Sequence, residues 1–205
     1  TEFLENGLEL CASVRQRFCE NAEGYASSAA RRRFNDTRSS PKVAFIPSNP
    51  LAPHVTQLTV TFLGTGGSMP TPLRNPSAIA IQRGGEVLLV DCGEGTQRQL
   101  MQSPVRFQSI TAIFLSHFHG DHCFGVPGLL KTMALNERTT PLTLYGPKGL
   151  QRMVDGFRKI GGWPKEYPIH VEELDAGETR EWAGTTLRTF QGDHSVNNLI
   201  LRLEE

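Results

Sequence analysis

Short apolar runs separated by glycine- and proline-rich breaks dominate this chain from residue 58 onward. Leu58 to Leu63 is β-branched and apolar and predicts a strand, which runs directly into Gly64-Thr65-Gly66-Gly67, a turn that needs flexible residues. Ser77 to Gln82 and Glu86 to Val90 predict two more strands, joined by the hairpin signal Arg83-Gly84-Gly85. A helix is expected over Glu94 to Gln102, with Gly93 in the turn before it. Strands follow at Thr111–Ser116 and Leu142–Tyr145, and a helix at Lys148–Ile160. Ile169–Leu174, Thr185–Phe190 and Asn197–Leu203 complete a strand-rich tail. There is no internal repeat. The order fits an α/β domain whose sheet is covered by helices on one face.

The first 55 residues have a different character. Phe3, Leu4, Leu8, Cys11, Val14 and Phe18 recur mostly at three- and four-residue spacings and predict one short amphipathic helix. Gly24 to Pro53 is rich in Ser, Ala, Arg, Asn and Pro, and buries too little apolar area to fold by itself. Residues 1–55 therefore read as a helix and linker, and 56–205 as the domain. Within the linker, the basic, serine-rich stretch Ser27–Ser40 reads as an RNA-contacting arm, the remnant of a targeting segment, or a solvated linker. The last is preferred, because the stretch is brief and lies away from the terminus.

Charge narrows the partners: 21 Lys and Arg against 21 Asp and Glu leave a net charge of zero. Any contact with nucleic acid is therefore expected to be local. Cys11, Cys19, Cys92 and Cys123 form no CxxC pair, which suggests a reducing compartment, cytoplasmic or organellar, and unpaired thiols. No run of 18 apolar residues exists, so a membrane span is not expected. The chain opens on Thr1, which reads as a processed product or a piece of a longer protein.

Chemistry is concentrated in Ser116-His117-Phe118-His119-Gly120-Asp121-His122, directly after a buried strand. In extended backbone His117 and His119 face one side while Phe118 turns to the core. Gly120 permits a sharp bend that brings Asp121 and His122 to a second position nearby. Nitrogen and carboxylate donors of this kind suit zinc, with Mn²⁺ or Fe²⁺ as second choices. His194, in Gln191-Gly192-Asp193-His194-Ser195, is a candidate third imidazole, undecided on pattern alone.

The HxHxDH segment resembles that of the metallo-β-lactamase superfamily. Phe62 to Gly67, Pro70-Thr71-Pro72-Leu73-Arg74-Asn75, Asp91-Cys92-Gly93-Glu94-Gly95-Thr96-Gln97 and Gly125 to Leu130 resemble its ribonuclease Z branch. The resemblance covers Leu58 to Glu205 and implies the first half of an αβ/βα sandwich. It implies that His117, His119 and His194 hold one zinc, and Asp121 and His122 another. Asp121 would also act as base toward a metal-activated hydroxide. The implied substrate is precursor tRNA, cut at its 3′ end to remove the trailer, and the implied assembly is a homodimer.

Three positions keep two readings each. Asp91 either fixes the tautomer of a ligand histidine or caps the helix near Gly93. Arg74 and Asn75 either contact phosphate and support the site or make structural hydrogen bonds. Cys123 reads as buried packing.

The resemblance also sets a departure. Complete members continue past the third metal histidine with a tRNA-gripping arm, a bridging aspartate and a further histidine, whereas here only eleven residues follow His194. A second zinc site of two ligands is expected to be weak, and one sheet face is expected to be uncovered. Alternatives are a phosphodiesterase acting on small cyclic nucleotides and a non-catalytic subunit that binds RNA or a partner. β-Lactam hydrolysis ranks below these.

Overall fold

The computed structural model describes residues 57–161 and 163–204. The helix and linker expected over residues 1–55 lie outside the described residues. The elements are β1 (Leu58–Gly64), β2 (Ala78–Arg83), β3 (Glu86–Val90), α1 (Thr96–Met101), β4 (Ile110–Phe114), α2 (Gly120–Cys123) and α3 (Val126–Leu135). There follow β5 (Leu142–Pro147), α4 (Leu150–Gly161), β6 (Ile169–Leu174), β7 (Thr179–Trp182), β8 (Thr185–Gln191) and β9 (Leu199–Glu204).

β1 to β6 form one sheet in sequence order, antiparallel from β1 to β3 and parallel from β3 to β6. The β2–β3 turn holds Gly84 at φ 57° and Gly85 at φ 93°, the two consecutive left-handed residues that a tight hairpin requires. The central strands are apolar without alternation because both faces are buried. Val87, Leu89, Ile113 and Leu144 pack under α1, α3 and α4 with Leu100, Leu129, Met133 and Val154. Leu88, Ala112, Phe114 and Tyr145 face the other way. Each such large side chain contributes about 1.5–3 kcal/mol when fully buried.

That second face is where the structure departs from expectation. β7, β8 and β9 form a separate antiparallel sheet, and its Trp182, Leu187 and Leu199 pack against Leu88 and Phe114. Trp182 Nε1 also donates to Thr111 Oγ1 at 3.0 Å. The uncovered apolar face expected from the sequence is thereby reduced, among the described residues, chiefly to β1. There Leu58, Val60 and Phe62 remain exposed in register with Arg83, Ile81 and Ile79.

Three further differences have local causes. α1 starts at Thr96 and not Glu94, because Gly95 sits at φ 80°. β7 is polar on its exposed positions and gives no strand signal, while the helical period of α3, Val126, Leu129, Leu130, Met133 and Ala134, is masked by Pro127 and Gly128 in its first turn. β4 closes at Phe114, after which Leu115 N still donates to Tyr145 O at 2.8 Å and the chain then turns into the site.

Candidate metal centre

The site lies beyond the carboxyl ends of the parallel strands β3 and β4, the position at which open α/β sheets place their ligands. β3 ends at Val90 and delivers Asp91, while β4 ends at Phe114 and delivers Ser116 to His122. The two loops are laced together: Asp91 N donates to Phe114 O, Cys92 N to His122 O and Gly125 N to Cys92 O, each at 2.8 Å. Gly93 and Gly125 lie at this seam, where a Cβ on Gly93 would meet Asp121 O at 2.3 Å and one on Gly125 would meet Gly93 O at 2.2 Å.

His117 is buried, His119 is exposed to the cleft, and Phe118 between them packs against the helix-side core. The alternation expected from extended backbone is realised. The second sheet delivers His194: Leu199 N, at the start of β9, donates to Ser116 O at 2.8 Å and docks the β8–β9 loop on the ligand segment. His117 Nε2 and His194 Nε2 each lie 3.1 Å from His119 Nδ1. One ligand atom from each of the three imidazoles falls within 4.8 Å of the others.

Asp121 and His122 stand beside this triad, with His122 Nε2 3.5 Å from Asp121 Oδ2 and the His117 and His122 ring centroids 4.1 Å apart. Ser68 N donates to Asp121 Oδ2 at 2.7 Å from a left-handed backbone at φ 61°. Burial works to raise the Asp121 carboxyl, but the Ser68 amide and His122 outweigh it and hold it below the ordinary carboxylate value.

Asp91 does not cap a helix. It is buried, at φ 57°, and accepts from Ser77 Oγ at 3.2 Å, from Ser116 N and Oγ at 2.9 Å, and from His122 Nδ1 at 2.6 Å. The Ser116 hydroxyl has one proton and gives it to Asp91, so at 2.9 Å its oxygen accepts the His117 Nδ1 proton. A single carboxylate thus sets two tautomers, His122 directly and His117 through Ser116. Both Nε2 lone pairs are left facing the cleft.

Protonation follows the same arrangement. Burial first, then the neighbouring imidazoles, pulls His117 down to about 4, so it is neutral and able to ligate at physiological pH. The hydrogen bond to Asp91 raises His122 above the ordinary imidazole value. Three imidazole nitrogens within reach of one ion, with the His117 tautomer fixed through Ser116 and Asp91, fit a zinc ion, and Asp121 with His122 offers a second, two-ligand position.

The cleft above these residues has a volume of about 1160 Å³, and Ser68, Pro70, Phe124, Asp193 and Asn198 are among its walls. Arg74 and Asn75 are not among its lining residues. Asn75 instead braces the loop after β1: its Nδ2 donates to Glu94 O at 3.3 Å, its Oδ1 accepts from Gln99 Nε2 at 3.0 Å, and its carbonyl accepts from Gly66 N at 2.8 Å. Cys123 is buried, its Sγ 3.3 Å from His119 O, and burial pushes its thiol up to about 11. Ser68, Ser77 and Ser116 were not legible as site residues. Ser116 carries the only advance signal, by directly preceding the histidine pair.

Comparison with known proteins identifies relatives of this chain. Residues 58–201 match the family described as Anti-Pycsar protein Apyc1. The chain is 46% identical over 148 residues to ribonuclease Z of Methanosarcina acetivorans, covering 72% of this chain and 48% of that protein. It is also 46% identical over 143 residues to ribonuclease Z of Exiguobacterium sibiricum, covering 70% and 48% respectively. The chain thus spans about half the length of the curated relatives it matches. Among solved structures, human tRNase Z, short form, superposes with a TM-score of 0.64 at 32% identity over 71% of this chain and 64% of that one. The metallo-β-lactamase fold protein YhfI of Bacillus subtilis superposes with a TM-score of 0.59 at 23% identity, over 71% and 57%, and shares the fold. The chain belongs to the family described as Anti-Pycsar protein Apyc1, has the metallo-β-lactamase fold, and is a homologue of ribonuclease Z over about half of that protein's length.

Proposed function

We propose that this chain carries the N-terminal half of a zinc-dependent endoribonuclease that cuts precursor tRNA at its 3′ end and removes the trailer. The observation that carries the reading is the convergence of His117 Nε2, His119 Nδ1 and His194 Nε2, with Asp121 and His122 alongside, in a chain 46% identical to ribonuclease Z. His117, His119 and His194 would hold one zinc, and Asp121 and His122 would contribute to a second.

Bound zinc supplies Lewis acidity toward a phosphodiester and lowers the pKa of water toward neutrality. The chain's own groups do the rest. Asp121, held charged by the Ser68 amide, is placed to accept a proton from the attacking water. Asp91 keeps His117 and His122 in the ligating tautomer. The division into residues 1–55 and a domain of 56–205, a homodimeric assembly and a cytoplasmic location belong to the same proposal. No helix among the described residues is long and apolar enough to cross a membrane.

The test measures zinc per chain and cleavage of a precursor tRNA bearing a 3′ trailer. Zinc-dependent release of the trailer, leaving a 3′ hydroxyl on the discriminator nucleotide, is the expected result. Zinc binding with hydrolysis of cyclic nucleotides and no tRNA cleavage would transfer the site to small phosphodiesters. Zinc binding without either activity would mean an incomplete half of a nuclease whose activity resides in a longer protein, or a non-catalytic subunit.

A further inference from the structure

Phe124 follows the ligand cluster by two residues and stands 62% exposed at the edge of the metal cleft. Its ring is seated on Gly120, where an added Cβ would come within 2.6 Å of it. The same ring is a wall of a second concavity of about 360 Å³ between α3 and α4, which Lys131, Phe157, Ile160 and Trp163 also line. The two spaces are therefore neighbours across one aromatic side chain.

Phe124, Phe157 and Trp163 line the groove, and cations lie in it and beside it in the chain. Lys131 lines it, and the Arg158 guanidinium lies 5.0 Å from the Trp163 ring centroid. Lys159 closes the last turn of α4 with Arg158, and Lys165 follows the groove residue Pro164. Asp155, paired with Arg158 at 3.1 Å, and Glu166 only partly offset these four cations. In a chain of zero net charge this is a local excess, beside the cleft and interleaved with aromatic rings. Single-stranded nucleic acid is bound by this combination: bases stack on rings irrespective of sequence, and phosphates meet lysine and arginine.

We propose that the groove between α3 and α4 binds single-stranded RNA, the unpaired continuation of the strand whose phosphodiester reaches the His117–His119–His194 centre. Bases stack on Phe124 and Trp163 while phosphates meet Lys131. This rests on the RNA-substrate reading above and adds to it a binding site outside the metal cleft.

The test uses the full chain, zinc-loaded, and an oligouridylate of about six nucleotides, within the length range that single-strand-binding domains cover. The chain has two tryptophans. Trp182 is buried between the sheets, so quenching by stacked bases reports Trp163. Saturable, salt-sensitive quenching is expected, weakened about ten-fold by Phe124→Ala and by Lys131→Glu, the order of one lost stack or phosphate contact. Trp163→Phe should keep the platform and lose the signal.

Unchanged affinity in both weakening variants, or quenching that persists in Trp163→Phe, overturns the groove assignment. So does a concentration-dependent dimer abolished by Ile160→Glu with no RNA effect, which would assign the groove to a second copy. Precursor tRNA cleavage without quenching would sink the groove and leave the nuclease reading standing. Quenching without cleavage would support the groove and show that this half of the nuclease does not by itself complete the catalytic site.

Discussion

Asp91→Asn is the most informative single change, because this one carboxylate sets two ligand tautomers. Asparagine matches aspartate in size and tolerates the left-handed φ of 57°, so backbone strain is nearly unchanged. The amide oxygen can still accept from Ser116 N and Oγ, now at 2.9 Å from Oδ1. Its NH₂ group then takes the place of Oδ2, 2.6 Å from His122 Nδ1, and two donors cannot share that contact. His122 must give up its Nδ1 proton and carry it on Nε2, the atom that faces the cleft.

Losing a charge-assisted hydrogen bond of about 1.5–3 kcal/mol in exchange for a neutral one of about 1 kcal/mol costs on the order of 1–2 kcal/mol of stability. Outer-shell changes of this kind lower metal affinity by about 10- to 100-fold. The pH dependence follows from the direction of the His122 shift. Its folded pKa is raised, so the pair's contribution is complete below the unfolded value of about 6.5 and fades as pH rises through the folded value. In the metal-free protein the penalty of Asp91→Asn should therefore be larger at pH 5.5 than at pH 9. Zinc affinity is read by chelator competition, stability by urea unfolding at both pH values, and the tautomer by ¹⁵N NMR of the imidazoles. Zinc affinity within two-fold of wild type, with His122 still protonated on Nδ1, would refute the reasoning.

Other consequences are separable. Ser68→Gly keeps the amide to Asp121 and relieves a left-handed residue, so it should bind zinc normally and gain up to about 1 kcal/mol in thermal unfolding, whereas Ser68→Pro removes the donor and should weaken binding. Gly93→Ala drives a methyl into Asp121 O and Pro76, and an equilibrium denaturation loss of under about 1 kcal/mol would contradict the packing. Arg138 is 2% exposed and donates to the carbonyls of Thr140, Pro141 and Gln108, so Arg138→Met should cost about 3 kcal/mol in urea melts, and a neutral outcome would mean the carbonyls find other donors. In the metal-free protein His117 should titrate near pH 4 by NMR. Since its folded pKa is depressed, stability should fall as pH drops from about 6.5 toward 4 while the unfolded chain takes up the proton, and titration near 6.5 would count against a buried, neutral ligand.

What the sequence determined is local. Strand runs such as Glu86–Val90 and Ile169–Leu174 were legible to the residue, because alternation and apolar density are properties of neighbours in the chain. The placement of His117, His119, Asp121 and His122 was legible for the same reason: extended backbone followed by a glycine bend orients side chains over seven consecutive positions. β7 and α3 were not, since a polar edge strand lacks apolar period and Pro127 and Gly128 break the helix signal in the first turn of α3.

The tertiary structure decided everything that depends on distant contacts. His194 reaches His119 from 75 residues away only because the second sheet packs on Leu88 and Phe114 and ties Leu199 to Ser116. Asp91 lies 31 residues from His122 and is ambiguous as a string of letters. It becomes the group that sets two tautomers because parallel pairing of β3 with β4 sets their carboxyl ends side by side, where one buried charge must find all its partners within a few ångströms.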